Sequence, residues 1–492
     1  MSTTAASNTA PANAGAVFVA IDIGASSGRV MLGRVSRQSG VSLETVHRFP
    51  NGVVELDGGL RWDFHALFAE VLKGLAAAAA VAAGNGERIV SIGIDTWAVD
   101  YGLINAAGEL IAQPFSYRDE RGQAAAERVH SVIDPARLYA TTGLQFLQFN
   151  TIYQLAAEAS LQGVQALLIP DLIAFLLTGE RRTEATNAST TGLFDAVAGE
   201  WSTEFLDALC LPADVFPPLV QPGETVGTLL PSVVERTGLP ADTRVVAVGS
   251  HDTASAVAAV PAQRKDFAYI SSGTWSLVGM ELDSPVLSEA SRAANFTNER
   301  GVDGTIRYLR NVGGLWLLSE CQRSWSADGY APELTALLDV AAALPDGGPV
   351  IDAGDPGFTA PSRMPERILA AVHGAGGTLS SQPAAVVRCI MDSLAAGYAS
   401  TLKQAERLTA RDMKVVHIVG GGSQNSLLCQ LTADATGLPV VAGPVEATAQ
   451  GNVLLQARAA GVVSGTLQEL RRLTAPHQAT VAYQPRVRLS RD

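Results

Sequence analysis

The sequence predicts an α/β protein built from two large halves. A chain of 492 residues is too long for one ordinary core, so two or more domains are expected. Val- and Ile-rich runs alternate with Ala- and Leu-rich runs at helical spacing, which is the rhythm of an α/β architecture. The order strand, Gly/Ser turn, strand occurs twice, at residues 21–33 and 270–279. This short echo indicates that the two halves are related.

Strands and helices can be assigned from this alternation in chain order. The predicted strands are VFVAIDIG (17–24), RIVSIGIDTW (88–97), RVVAVGSHD (244–252), FAYISSG (267–273), VVHIVGGG (415–422) and LPVVAGP (438–444). Helical spacing occurs in ASAVAAV (254–260), NSLLCQLTADATG (425–437) and GNVLLQARAAG (451–461). The last two helices are expected to end at Gly437 and Gly461, because glycine readily adopts the left-handed conformation that closes a helix.

Clusters of proline and glycine indicate where one domain ends and the next begins. These residues cluster at 217–230 and 239–244, which places the main boundary near residue 248. We therefore expect an N-terminal domain at 16–247 and a C-terminal domain at 248–475, with a disordered tail at 1–15 and a second tail at 476–492. The first fifteen residues lack the basic and apolar regions of a signal peptide.

The composition excludes several classes of partner. The formal net charge is −13 without a basic block, so the electrostatic footprint of a nucleic-acid binder is missing. An uninterrupted apolar run of the roughly 18 residues that span a membrane is also missing. We expect a cytoplasmic monomer or small homo-oligomer that binds small molecules. The four cysteines are widely separated and are predicted to be reduced; they are Cys210, Cys321, Cys389 and Cys429.

The opening turn, within VFVAIDIGASSGRVMLG (17–33), is predicted to bind an anion. A Walker loop would need a following Lys, and a dinucleotide fingerprint would have to open a helix, whereas the residues after this turn favour a strand. A hairpin remains, and its backbone N–H groups can converge on phosphate. Asp22 could hold Mg²⁺ through water; the alternative is an ordinary tight hairpin. The converging amides are those of Ala25, Ser26, Ser27 and Gly28.

A second candidate lies where a buried strand ends at Gly249 and a helix begins. His251, Asp252 and Thr253 occupy this turn, and strand-to-helix turns in α/β sheets are common ligand sites. Asp252 is predicted to be a general base that takes the proton from an attacking hydroxyl, although an N-cap role alone is the other interpretation. A helix N-terminus is expected to depress its pKa.

A third candidate is the run of three glycines in VHIVGGGSQNSLLCQL (416–431). Glycines between a strand and a helix let a flat ring approach the backbone, which suits the nucleoside end of ATP. By itself, a run of three glycines is weak evidence of nucleotide binding.

Taken together and in order, motifs from residue 17 to 465 resemble the FGGY carbohydrate kinase family, and within it the rhamnulokinases. The resemblance implies a duplicated actin-like ATPase fold of the ribonuclease H-like type, with the active site in the interdomain cleft. The motifs are VAIDIGASSGRVMLGRV, IGIDTWAVDYGLI, YRDER, TGLQFLQFNTIYQL, GSHDTASAV, ISSGTWSLVG, NVGGLWLL, HIVGGGSQNSLLCQL and AGPVEATAQGNVLLQARAAG.

The resemblance also implies an activity and roles for residues. The activity is transfer of the γ-phosphoryl group of ATP, with Mg²⁺, to the 1-hydroxyl of L-rhamnulose in L-rhamnose breakdown. Another ketose (L-fuculose, L-xylulose or L-ribulose) and an actin- or chaperone-like ATPase acting on a protein are the alternatives. Asp252 matches the proton acceptor, flanked at the sugar by His251 and Thr253. The positions matching ATP contacts are Ala25, Ser26, Ser27, Gly28, Arg29, Thr274, Asn311 and Gly421.

Three positions depart from the family pattern. Ala98 replaces a glycine that lies against the sugar, so an added methyl group puts the identity of the ketose in question. Ser319 replaces a glutamine near the nucleotide and is expected to alter ATP affinity more than chemistry. Arg300 replaces a glycine and has no interpretation from sequence.

Further side chains are candidates for the sugar pocket. Asp95 and Trp97 are expected to line it, with the indole laid on an apolar face of the ketose; a buried core tryptophan is the alternative. Arg118 and Asp119 could reach sugar hydroxyls, or form an exposed ion pair of little consequence.

Overall fold

A computed structural model of the chain describes residues 15–359, 361 and 363–486. The predicted N-terminal tail therefore lies outside the described residues except for Gly15, and so does the end of the predicted C-terminal tail, at 487–492. The described part of that tail, 476–486, includes a strand that joins the second sheet.

The first half alternates strands and helices. Its elements are β1 (Ala16–Ile23), β2 (Ser27–Ser36), β3 (Gly40–Pro50), β4 (Val53–Leu56), β5 (Gly59–Trp62), α1 (Phe64–Gly84), β6 (Arg88–Thr96), β7 (Tyr101–Asn105), α2 (Arg121–Val132), α3 (Pro135–Thr142), α4 (Thr151–Ala156), β8 (Val164–Leu168), α5 (Ile169–Thr178), β9 (Thr183–Glu184), α6 (Ala185–Ala188), β10 (Phe194–Asp195), β11 (Glu200–Trp201), α7 (Thr203–Ala208), β12 (Leu219–Val220), β13 (Thr225–Thr228), α8 (Pro231–Thr237) and β14 (Arg244–Val246).

The second half continues in the same manner. Its elements are α9 (Asp252–Ala258), β15 (Phe267–Ser272), β16 (Trp275–Leu282), α10 (Glu289–Ala293), β17 (Thr297–Arg300), β18 (Ile306–Gly313), α11 (Trp316–Ala327), α12 (Leu334–Ala342), α13 (Met364–Gly374), α14 (Pro383–Thr409), β19 (Val415–Val419), α15 (Ser426–Thr436), β20 (Val440–Ala442), α16 (Ala447–Ala459), α17 (Leu467–Thr474) and β21 (Val481–Tyr483), with 3₁₀ turns at Val302–Gly304, Pro356–Phe358, Gly421–Gln424 and Ala475–His477.

Two mixed sheets carry the same internal arrangement. The first has the order β13-β14-β6-β1-β2-β3 and the second the order β17-β18-β16-β15-β19-β20-β21. In each sheet, one central strand pairs antiparallel with the strand that follows it in the chain and parallel with a later strand. In the first sheet β1 pairs with β2 and β6, and in the second β15 pairs with β16 and β19. The echo of strand, turn and strand in the sequence therefore reflects a repeated sheet.

Helices α9 and α16 join the two halves. The helix predicted at 451–461 is part of α16, and it packs on the first sheet although it follows strands of the second. Val453 shares a buried apolar cluster with Phe18 and Met31. At Gly451 an added Cβ would lie 1.8 Å from the carbonyl oxygen of Ser255 in α9, so only glycine allows the two helices to cross this closely.

The Ala-rich residues 75–83 belong to α1. Among the described residues, α1 alone is long and apolar enough to cross a membrane, with a mean hydropathy of 1.7. Val71, Leu75 and Ala78 on this helix are buried in the core of the first sheet. A core helix of this kind passes the same test, so length and composition are weak evidence for a span.

Candidate active site

Three carboxylates lie at one edge of the first sheet. Asp22 and Asp95 are register partners on the parallel strands β1 and β6. On the other side of β6, the segment that follows β14 continues the sheet, because the Thr96 amide donates to Ser250 O at 2.9 Å. Asp252 lies two residues after Ser250. Burial raises the pKa of Asp95 well above its ordinary value, and the negative charges of Asp22 and Asp252 add to this. The three acids therefore form one electrostatic cluster.

Asp95 has one carboxylate oxygen satisfied and one unsatisfied. Its side chain is fully buried, and Oδ2 accepts a hydrogen bond of 2.6 Å from Asn452 Nδ2 on α16. Within the described residues, Oδ1 is buried without a hydrogen-bond partner. An unpaired buried acceptor is costly, so this oxygen is suited to a proton, a cation or a ligand hydroxyl.

Asp252 lies where sequence reasoning placed it, but its pKa is shifted the other way. His251 occupies the N-cap position of α9 and Asp252 is the first helical residue, so the N-cap interpretation of Asp252 is wrong. Oδ1 accepts a hydrogen bond of 2.9 Å from Thr253 Oγ1. Burial raises the pKa of Asp252, and the neighbouring His251 only partly opposes this. The expected depression is wrong because desolvation outweighs the helix terminus, which makes this carboxylate a stronger base.

The turn that carries Asp252 is held by buried acids that the sequence analysis missed. Glu184 Oε2 accepts hydrogen bonds from Ser250 Oγ at 2.7 Å and from Ser250 N at 3.0 Å. On the other side, Glu299 Oε2 lies 3.1 Å from His251 Nδ1. The cross-strand pairing of Glu299 with a buried arginine is the signal that could have marked it, but register is needed to see that pairing.

The first hairpin has the predicted form. The Gly24 amide closes the turn on Ser27 O at 2.9 Å, and Ser26 and Ser27 are exposed at its tip, with Ala25 half-buried beside them. Glycine is required at position 28, because an added Cβ would lie 2.3 Å from a ring atom of Phe49. The sequence prediction of a hairpin in place of a Walker loop is confirmed.

Arg29 connects this hairpin with the second half. Its Nε and Nη2 donate to Asp22 Oδ2 at 2.9 and 2.8 Å, and its Nη1 lies 2.5 Å from Glu446 Oε2, just before α16. The guanidinium is about a quarter exposed. A cation at the hairpin therefore bridges two acids, one from each half, and can also offer a charge to an anionic ligand.

The second hairpin and the triple glycine meet at one edge of the second sheet. The Gly273 amide donates to Trp275 O at 2.9 Å, and half-buried Thr274 lies at the tip. The neighbouring parallel strand β19 ends before the glycines. Gly421 is exposed, and an added Cβ there would meet no described heavy atom within 4 Å. Space is therefore open beside this backbone, whereas an added Cβ at Gly422 would lie 2.0 Å from Ser272 Oγ.

Asn311 and Ser319 have different surroundings. Asn311 donates through its backbone amide and Nδ2 to Gln145 Oε1 at 3.0 and 3.2 Å, which links β18 to the first half. Gln145 also lines a cavity of about 240 Å³ between α3, α4 and α10; of the described residues that line it, none is a predicted site residue. Ser319 is exposed on α11.

The turn around Ala98 is anchored by a buried aspartate. Trp97 is only 7% exposed, its Nε1 donates to Asp100 Oδ2 at 2.9 Å, and its ring centroid lies 4.2 Å from that of Trp62. Most of the indole is therefore core packing. Ala98 is half-buried beside it, and Val99 has a φ of 69°, a strained value for a β-branched residue and typical of functional turns.

Arg118, Asp119 and Arg300 have structural contacts. Asp119 accepts hydrogen bonds from the amides of Leu60 and Arg121, and the Arg118 guanidinium lies 5.4 Å from the ring centroid of Trp316 in the second half. The exposed ion pair suggested by sequence is therefore replaced by a turn contact and a cation–π contact. The Arg300 amide donates to a serine hydroxyl of the first half at 2.8 Å. All four cysteines lie in the described residues and are free thiols in the structure.

Comparison with known proteins covers nearly the whole chain. Residues 17–259 match the N-terminal domain of the FGGY family of carbohydrate kinases, and residues 268–460 match its C-terminal domain. A rhamnulokinase of Bacteroides thetaiotaomicron is 43% identical over 450 residues, which is 90% of this chain and 91% of that protein. A rhamnulokinase of Bacillus subtilis is 38% identical over 90% of each chain.

Solved structures confirm the fold class. A ligand-bound xylulose kinase from Lactobacillus acidophilus superposes with a TM-score of 0.75 at 17% identity, covering 96% of this chain and 94% of that one. Plasmodium falciparum glycerol kinase with ADP gives 0.75 at 14% identity, with the same coverage. These are two-domain sugar kinases of the actin-like ATPase type, as predicted. The chain therefore belongs to the FGGY family of carbohydrate kinases, enzymes that transfer a phosphoryl group from ATP to a sugar.

Proposed function

We propose that this enzyme phosphorylates L-rhamnulose at its 1-hydroxyl, giving L-rhamnulose 1-phosphate and ADP. The sugar is suggested by relatives named rhamnulokinase that are 43% and 38% identical over about nine-tenths of the chain. The observation that carries the chemistry is the place of Asp252, a carboxylate of raised pKa beside Asp22 and Asp95 at the edge where the parallel strands end. Ligands of open α/β sheets bind at such edges.

In the proposed reaction, Asp252 accepts the proton of the sugar hydroxyl while the hydroxyl oxygen attacks the γ-phosphorus. The bond from that phosphorus to the bridging oxygen breaks, and ADP leaves with the bond's electron pair. The raised pKa of Asp252 suits a group that must hold the proton after transfer. His251 and Thr253 flank the carboxylate, and Ala98 with Asp95 would lie at the sugar.

The nucleotide would lie between the two hairpins. Arg29 and the exposed serines at the first tip would face its phosphates, and Thr274 would do so from the second half. Gly421 would give the adenosine room to approach the backbone, because its surroundings are open. Ser319, exposed on α11, would lie at the edge of this site.

The carboxylates fit a magnesium ion. No group of three or more His, Cys, Asp or Glu side chains arranged to hold a metal ion occurs among the described residues, but Mg²⁺ bound with nucleotide usually takes one or two carboxylates and keeps several waters. Asp22 would hold it, and the unsatisfied Oδ1 of Asp95 is a suitable neighbour. When bound, the ion would supply positive charge to the β- and γ-phosphates.

The remaining expectations are part of the same proposal. A cytoplasmic enzyme, monomeric or in a small homo-oligomer, with no nucleic-acid or membrane partner, fits a net charge of −13 and a helix α1 whose apolar face is in the core. A protein-directed, chaperone-like ATPase is disfavoured because both halves match carbohydrate kinase domains.

The test is ADP release measured with L-rhamnulose, L-fuculose, L-xylulose and L-ribulose. L-Rhamnulose should give the highest kcat/KM, with the product phosphorylated at position 1. Ala98→Gly should change the ratio of kcat/KM between ketoses if its methyl group contacts the sugar. Nucleotide turnover that does not depend on any ketose would contradict the proposal, and a higher kcat/KM with another ketose would reassign the substrate.

A further inference from the structure

We propose that Glu299 is a positioning residue for the reaction: together with its ion-pair partner Arg307, it holds the His251 ring against Asp252 and so fixes the direction of the proton-accepting carboxylate. This inference rests on the proposed role of Asp252. Glu299 is buried on the side of the histidine away from Asp252, so any effect on the sugar must act through its neighbours.

The contacts form a line from one carboxylate to the other through the imidazole. Glu299 Oε2 lies 3.1 Å from His251 Nδ1, and His251 Nε2 lies 3.6 Å from Asp252 Oδ1. The His251 and Glu299 side chains are 8% and 5% exposed, whereas Asp252 is 34% exposed. The buried end of this line is therefore fixed, and the end that is open to the cleft is the reactive one.

Arg307 keeps Glu299 in its charged form. Its Nη1 lies 2.8 Å from Glu299 Oε2, and its side chain is fully buried. The two residues are direct cross-strand partners on β17 and β18, and Arg307 Nε also donates to Arg300 O at 3.1 Å. Arg307 and His251 together lower the pKa of Glu299 although burial alone would raise it. Arg307 Nη1 and Nη2 also lie 3.2 Å from His251 Nδ1. A guanidinium can only donate, so we assign Nδ1 as the acceptor and place the ring proton on Nε2, the nitrogen that faces Asp252.

The opposite side of the same turn is held from the first half. Glu184 accepts from both the amide and the hydroxyl of Ser250, one residue before His251. Glu299 is on the second sheet, so the turn is attached to both halves through buried carboxylates. The position of Asp252 therefore depends on two anchors, and losing either one should misplace the base. A misplacement of about 1 Å in an active site can cost about 100-fold in rate.

The primary test is Glu299→Gln, compared with His251→Asn and with the double variant. Glu299→Gln should lower kcat by about 10- to 100-fold and leave the KM for ATP nearly unchanged. Because Glu299 acts through His251, adding Glu299→Gln to His251→Asn should cause little further loss. A normal kcat in a folded Glu299→Gln protein, or fully additive losses in the double variant, would overturn the proposal.

A second pair of variants separates positioning from folding. Removing one partner of a buried ion pair destabilises a protein, whereas replacing both with apolar residues is often tolerated. Glu299→Leu with Arg307→Leu should therefore fold and still show the low kcat; recovery of wild-type kcat in this variant would refute a positioning role. The matched control is Glu281→Gln, which breaks the partly buried pair with Arg471 (2.7 Å) and should lower the Tm without lowering kcat.

These outcomes are distinct from failure of the proposed function. If the wild-type enzyme phosphorylates no ketose, the function fails before any variant is compared. If the wild type is active and Asp252→Asn retains its kcat, the role of Asp252 fails, and a normal kcat in Glu299→Gln alone refutes the positioning role.

Discussion

Replacing Asp252 with asparagine tests the central assignment of the site. The substitution keeps size and shape, and the amide oxygen can still accept from Thr253 Oγ1, which is 2.9 Å from the carboxylate. It removes only the ability to take the proton. General-base catalysis contributes about 10²- to 10⁴-fold, so kcat should fall by this factor, equivalent to roughly 3 to 5 kcal/mol of transition-state stabilisation. The KM values for sugar and ATP should change little.

The same substitution should not destabilise the fold at neutral pH. The pKa of Asp252 is raised in the folded state from an ordinary value of 3.8, so ionising it costs stability at every pH above that value. Asparagine removes this cost and the repulsion from the neighbouring acids. The Tm of Asp252→Asn should equal or exceed that of wild type at pH 7, and the difference should vanish as the pH falls below the ordinary value.

Coupled ADP release and thermal unfolding measure the two effects. The matched control is Asp134→Asn at the start of α3, where an exposed aspartate accepts from two helix amides and asparagine can do the same. The control should leave kcat and Tm near wild type. An Asp252→Asn enzyme that keeps more than about a tenth of the wild-type kcat, outside the range expected for loss of a base, would refute the reasoning.

Three further predictions concern the groups around this base. Gly28→Ala should lower the Tm and raise the KM for ATP, because the added Cβ overlaps a ring; overpacking costs about 1 to 3 kcal/mol, and Gly52→Ala, with no described atom within 4 Å, is the control. Arg29→Ala should raise the KM for ATP severalfold. The control is Arg48→Ala, which should not change this KM, because Arg48 is 62% exposed and lies 3.7 Å from Glu446, the glutamate that Arg29 also contacts. Burial raises the pKa of Asp100 to about 6, so its contribution to stability falls as the pH rises toward 6; tryptophan fluorescence should show this titration, and Asp100→Asn should abolish it.

The parts of the site that local chemistry determines were predictable. The residues after the first turn favour a strand and lack the lysine of a Walker loop, so the sequence predicts a hairpin, and the two strands pair accordingly. Asp252 is a candidate in the sequence because it comes soon after a buried strand. In these places the neighbours along the chain decide the structure, so the sequence pattern carries the information.

The parts that depend on distant pairing were not predictable. Asn452 and Gln456 on α16 resemble a solvent-facing stripe, yet both are fully buried. Asn452 donates to Asp95, and Gln456 Nε2 donates to Val19 O at 2.9 Å. The spacing of apolar residues correctly predicts the helix that became α16. It could not show that this helix packs on the sheet of the other half.

The pKa of Asp252 shows why a local rule can give the wrong sign. A helix N-terminus favours the charged carboxylate by typically 0.3 to 1 kcal/mol at an exposed site, and the effect is larger only in favourable, partly buried geometries. Burial opposes it, and so does the negative charge of Asp22, which lies on a strand far away in sequence. The direction of the pKa shift of Asp252 is therefore decided by how the two halves assemble. The same assembly places Glu299 next to His251. A base whose strength and direction both come from distant residues should respond to substitutions on either sheet, which is the pattern the Glu299 variants are designed to detect.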